Sequence, residues 1–199
     1  MNNNTAAMLR QCASLVLVSA LGPLGGCLYT GDPGHVPGDP NARTSMEGAR
    51  VELVRHSATC DGADSKGLIV EVGPWVEYPA EDVRALEASC LVTPNPGVEV
   101  YIDDNIVTFD FSNISEPGQF PDTGFEGYVL DIVRTADAPF LIAAEIDQDA
   151  SNLDVTQDDL AFDTDRLSVN VAGRAYDSES LLRIELYLLA GSERSEGDE

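Results

Sequence analysis

The densest run of side chains able to do chemistry is Asp147-Gln148-Asp149-Ala150-Ser151-Asn152, followed by Asp154 and Asp158. Hard oxygen donors at alternate positions let one tight loop turn several of them toward a single Ca2+. Asp147, Asp149 and Ser151 fall at the first, third and fifth places of a calcium loop, and Asp158 at the last. The run departs from the helix-flanked form of such loops. Asn152 stands where glycine makes the sharp turn, Asp154 takes a usually apolar place, and both flanks read as strands. Asp147, Asp149, Ser151, Asp154 and Asp158 are therefore a Ca2+ candidate in another frame, beside the alternative of a solvated acidic loop. A second acidic group, Asp158, Asp159, Asp163 and Asp165, is less regular.

Little else in the chain points to catalysis. No GxSxG, P-loop or dinucleotide fingerprint is present, and the two histidines are His35 and His56. His56 and Ser57 are adjacent, but neighbours on an extended chain point to opposite faces, so they make no dyad. Zinc needs convergent nitrogen or sulfur donors, which one histidine and a pair of cysteines do not supply. Carboxylate pairs are too frequent among 35 acidic residues to single out a glycosidase couple. The expectation is that the protein is not an enzyme. For carbohydrate, Trp75, Tyr78, Tyr101 and Tyr187 are the aromatics expected to face outward; cross-strand packing is the alternative for each.

The cysteines lead to the address. Cys12 lies in an apolar stretch from Cys12 to Leu24, preceded by a polar segment with Arg10 and followed by Leu24-Gly25-Gly26-Cys27. The apolar stretch is short for a membrane span, which needs roughly 20 apolar residues, and suits a secretory signal. Leu24-Gly25-Gly26-Cys27 resembles the lipobox of bacterial lipoproteins at every position. That resemblance implies cleavage before Cys27, a thioether-linked diacylglyceryl group on its sulfur, and N-acylation of the new terminus. Leu28, where inner-membrane lipoproteins carry aspartate, implies the outer membrane. Several acyl chains hold a protein firmly, because each buried CH2 contributes about 0.8 kcal/mol. Cys60 and Cys90 remain as an even pair in an oxidising compartment. A bridge between them is expected; two buried thiols or a redox pair are the alternatives, and no CxxC spacing favours the last.

Charge sets limits on partners. The chain carries 35 acidic against 11 basic residues, a net −24 at pH 7, and Lys66 is its only lysine. No basic footprint for nucleic acid exists, and anionic lipid headgroups would repel such a surface. Membrane contact would fall to the lipid on Cys27.

Among the elements that hold these groups, residues 1–26 read as the signal peptide and 27–47 as a lipidated, Gly/Pro/Asp-rich tether. Residues 48–190 read as the folded domain and 191–199 as a disordered acidic tail. Period-two apolar runs mark strands at 51–55, 68–73, 127–134, 140–146, 160–163, 167–173 and 181–189. Residues 56–64 and 112–123 read as loops, and 75–78, between two prolines, as an edge strand. Residues 79–88 fit a helix start or an extended run. The clearest hairpin is 98–111, turning at Asp103-Asp104-Asn105. In 140–146, Phe140, Ile142, Ala144 and Ile146 are expected on one face. Together these predict an all-β, antiparallel β-sandwich in a single domain.

Within it, FEGYVLDIV (125–133), LAFDTDRLSVNVAG (160–173) and LLRIELYL (181–188) resemble a β-module of exported bacterial proteins. Members often carry a C-terminal sorting tag, absent here, and the resemblance implies fold and export without any chemistry. The expected function is a lipid-anchored, non-catalytic structural or protein-binding module of the cell envelope. A Ca2+-dependent carbohydrate-binding or adhesion module is the alternative, with another envelope protein or a polysaccharide as partner.

Overall fold

Alternation of apolar and polar residues puts one side of each strand in an apolar core and leaves the other wet. The computed structural model describes residues 45–58, 67–86 and 96–191, all within the unit Gly38–Glu199. Its strands are β1 (Arg50–Ser57), β2 (Gly67–Glu71), β3 (Glu99–Asp103), β4 (Ile106–Asp110) and β5 (Gly118–Gln119). They continue as β6 (Glu126–Ile132), β7 (Phe140–Ile146), β8 (Leu160–Phe162), β9 (Arg166–Asn170), β10 (Ala175–Tyr176) and β11 (Leu181–Leu189). One short helix, α1 (Ala80–Ala85), lies between β2 and β3, and a 3-10 turn spans Gln157–Asp159. Among the described residues no helix is long and apolar enough to cross a membrane.

The strands form a five-stranded sheet, β2-β1-β6-β9-β8, and a four-stranded sheet, β3-β4-β11-β7, with β10-β5 as a small extra pair. Every pairing is antiparallel. The two larger sheets share one core. Val51, Leu53, Tyr128, Leu130, Leu167 and Val169 of the first meet Val100, Ile102, Val107, Phe109, Ile184 and Leu186 of the second. Phe109 and Tyr128 touch within it, their rings 5.2 Å apart. The expected all-β sandwich is the observed fold.

Several local expectations change. β1 runs on through His56 and Ser57, which sequence placed in a loop. Residues 75–78 form no strand: Tyr78 alone bridges to Val100. In the ambiguous stretch 79–88, Ala80–Ala85 is helical, with Ala80 and Val83 buried after Pro79. Met46, assigned to the tether, is fully buried, and its N–H donates to the Asp104 carbonyl at 2.7 Å. Residues 118–119, read as loop, pair with 175–176.

The largest correction is in β7. Leu188 pairs with Leu141 and Tyr187 with Ala143, so Ile142 is an extra residue on β7. Such a bulge inverts the alternation. Ala144 and Ile146 face the core as expected, whereas Phe140 and Ile142 face solvent and Leu141 takes the core position.

Two sheet edges are plugged. On β7, the Gln157 side chain donates to the Ala144 carbonyl at 2.6 Å and accepts the Ile146 N–H at 3.2 Å. The Leu141 N–H donates to the Thr164 carbonyl at 2.9 Å. On β3, Tyr78 exchanges two backbone hydrogen bonds with Val100, and Glu77 accepts the Ile102 N–H at 2.7 Å. Plugs of this kind keep an edge from recruiting a foreign strand.

Candidate functional site

Asp147 closes its own turn. Its Oδ1 accepts the N–H groups of Asp149 and Ala150, each at 3.2 Å, and its Oδ2 lies 3.6 Å from the Arg183 guanidinium. Ser151 Oγ accepts the Arg183 N–H at 2.9 Å and donates to the Arg183 carbonyl at 3.3 Å. Asn152 Oδ1 accepts the Leu181 N–H at 2.7 Å, and its Nδ2 donates to the Glu179 carbonyl at 2.8 Å. These short polar side chains lock the loop to the start of β11, a turn role natural to Asp, Asn and Ser. Asp154 is exposed, 3.5 Å from Arg174. Asp149 and Asp158 are exposed as well. Among the described residues no three His, Cys, Asp or Glu side chains gather where one metal ion would meet them.

Nearby, Asp159 accepts hydrogen bonds from the Thr156 N–H at 2.8 Å and from Arg174 Nη2 at 2.9 Å. Burial alone would raise its pKa. The Thr156 hydrogen bonds and the Arg174 charge outweigh that and hold it below the ordinary aspartate value. This second acidic group is thus tied into backbone and arginine.

His56 and Ser57 stand on opposite faces of β1, Ser57 buried and His56 half-buried, as an extended chain requires. Facing the core beside Ser57 is Arg55, whose position nothing in the sequence pattern marked. Its guanidinium pairs with Glu126, and each side chain is only 2% exposed. It also donates to the carbonyls of Gly127 at 2.8 Å and His56 at 2.9 Å, and lies 5.0 Å from the Tyr128 ring and 5.4 Å from the Phe120 ring. Held by a carboxylate, two carbonyls and two rings, with its Nε buried and unpartnered among the described residues, the guanidinium forms an internal brace with Glu126.

The four aromatics divide. Trp75 is 61% exposed; Tyr101 and Tyr187 are half-buried, their hydroxyls donating to Glu99 at 2.7 Å and Glu145 at 3.1 Å. Tyr78 was expected outside and is wholly buried, its hydroxyl donating to the Val51 carbonyl at 2.9 Å. The Pro-flanked segment rolls it under the sheet edge instead of extending.

A surface that the sequence pattern missed lies on the outer face of the four-stranded sheet. Phe140 stands opposite Leu189 in register, Ile142 rides the bulge beside them, and Tyr187 is opposite Ala143. Phe140, Ile142 and Leu189 are exposed at 38%, 39% and 36%. Arg134 lies 4.3 Å over the Phe140 ring, held there by Asp165 at 3.0 Å and the Pro139 carbonyl at 3.1 Å. Apolar side chains scattered singly are ordinary on a surface, but three together beside a sheet edge form a patch. The only advance sign was the low β-propensity pair Ala143-Ala144 where the alternation breaks. Cys27, Cys60 and Cys90 lie outside the described residues.

Comparison with protein-family models, with curated proteins and with solved structures finds no match to this chain.

Proposed function

We infer that this protein is a lipid-anchored, non-catalytic module of the bacterial cell envelope that docks on another envelope protein through Phe140, Ile142 and Leu189. The single observation behind the docking surface is that three-residue apolar patch, created by the β7 bulge. The lipobox resemblance at Leu24–Cys27 supports the anchor and the outer membrane as its site. The partner meets a face and not an edge, because the outer edges of β7 and β3 are already plugged. Apolar centres ringed by polar groups are how docking faces are built, and Glu145, Glu185 and Arg134 supply that ring.

A photoreactive residue placed at Ile142 in the full chain, in intact cells, tests the reading. The expected result is one discrete adduct that Phe140→Asp abolishes and that a probe at Tyr101, distant on the same sheet, does not give. Absence of an adduct at Ile142, or the same adducts from Tyr101, would overturn it.

A further inference from the structure

A second surface, on the opposite sheet and independent of the patch, has the make-up of a ligand site. Val54, Val129 and Ser168 stand directly opposite one another on β1, β6 and β9, and the same row reaches Gly67 on β2 and Ala161 on β8. Small side chains in that row leave a trough across the sheet. One wall is made of rings, His56 and Phe125, with centroids 5.4 Å apart. The other is the Asp131 carboxylate gripped by Arg166 through two hydrogen bonds of 2.6 and 3.1 Å. The groove lined by these residues has a volume of about 450 Å3, within the range of roughly 300–1,000 Å3 usual for ligand sites.

We propose that this groove binds a segment of a neutral glycan chain. Its chemistry separates the candidate occupants. No described residue hydrogen-bonds the His56 imidazole or the Ser168 hydroxyl, so both are available to a ligand. Asp131 is neutralised by Arg166. Glu52, in the neighbouring row, leans over Gly67 and closes the β2 end of the trough. Among the residues that line the groove itself the one carboxylate is Asp131, paired with Arg166, so a basic peptide meets no free carboxylate there. A polyanion is repelled by a chain of net charge −24. A sugar ring fits both halves of the site: its C–H face lies on Phe125, His56 and the valines, and its hydroxyls meet Ser168, Asp131 and Arg166. The lined part crosses β1, β6 and β9 at ~4.8 Å spacing, about 10 Å, room for a short run of rings in a chain.

The test uses the full chain in affinity electrophoresis against laminarin, hydroxyethyl cellulose, xyloglucan, galactomannan and dextran, with alginate as the anionic comparison. At least one neutral polysaccharide is expected to retard the protein. Calorimetric titration with that polysaccharide should then show about tenfold weaker binding for His56→Ala and for Val129→Tyr, which fills the trough. Thr108→Ala, on the other sheet, should bind as the parent does. Both groove substitutions sit on a wet face, and unchanged thermal unfolding of at least one identifies the variant to be read. Retardation by none of the neutral polysaccharides, preference for alginate, or undiminished binding by the folded variants would overturn the proposal.

Discussion

Replacing Glu126 with leucine removes the carboxylate that pairs with a guanidinium 2% exposed. Among the described residues, what remains around Arg55 is two carbonyls at 2.8 and 2.9 Å and two ring faces at 5.0 and 5.4 Å. Breaking a buried pair from one side costs roughly 3–5 kcal/mol, because the surviving charge stays desolvated. The carbonyls and rings still solvate Arg55 in part, which places the expectation at about 3 kcal/mol, toward the lower end. For a domain of this size that lowers Tm by about 6–12 °C. The double change Arg55→Met with Glu126→Leu removes both charges and should return to within about 1 kcal/mol of the parent. Asp131→Asn, which breaks an exposed pair with Arg166, should cost less than about 1 kcal/mol. Urea unfolding of the four proteins reads all these values. A Glu126→Leu protein within 1 kcal/mol of the parent, or a double variant no better than the single, would refute the reasoning.

Three further outcomes are expected. Burial raises the pKa of Tyr128 to about 12 and that of Tyr78 further, so both stay protonated in the folded chain at pH values where the unfolded chain ionises. The folded state then binds more protons between pH ~10 and ~12, and stability falls as pH rises through that window. Ultraviolet titration should show both phenols ionising only as the chain unfolds, with Tyr128→Phe softening the alkaline loss; early, reversible ionisation of all six tyrosines would contradict this. Gln157→Ala exposes the Ala144 carbonyl and Ile146 N–H on the edge of β7, and self-association that rises with concentration should appear by light scattering. Millimolar Ca2+ should leave Tm unchanged within about a degree, since Asp147 is spent on its own turn and Asp154 faces Arg174; a rise of several degrees, reversed by EDTA, would restore the calcium reading.

The strands were legible wherever one face is buried and one is wet. The 98–111 hairpin turns at Asp104, whose φ of 59° is a conformation aspartate tolerates, and its inward residues are those the alternation names. What pattern alone could not give depends on partners distant in sequence. The β7 bulge is set by the pairing with β11, so the exposure of Phe140 and Ile142 follows from a register that no local window contains. The inward turn of Arg55 is possible only because Glu126, 71 positions later, arrives opposite it. Tyr78 is drawn inside by the Val51 carbonyl. The groove was hidden for the same reason: Val54, Val129 and Ser168 become neighbours only through strand order β1-β6-β9. The acidic loop reads two ways. Its spacing suits a cation, yet the same short side chains also suit turn closure, and β11 claims Ser151 and Asn152.

Intact-mass measurement of the protein purified from membranes of its native host tests the anchor on which the proposed function stands. The expected protein begins at Cys27, carries the mass of several acyl chains, and is lighter by two hydrogens for a Cys60–Cys90 bridge. A chain that begins at Met1, or one whose Cys27 bears a free thiol, would contradict it.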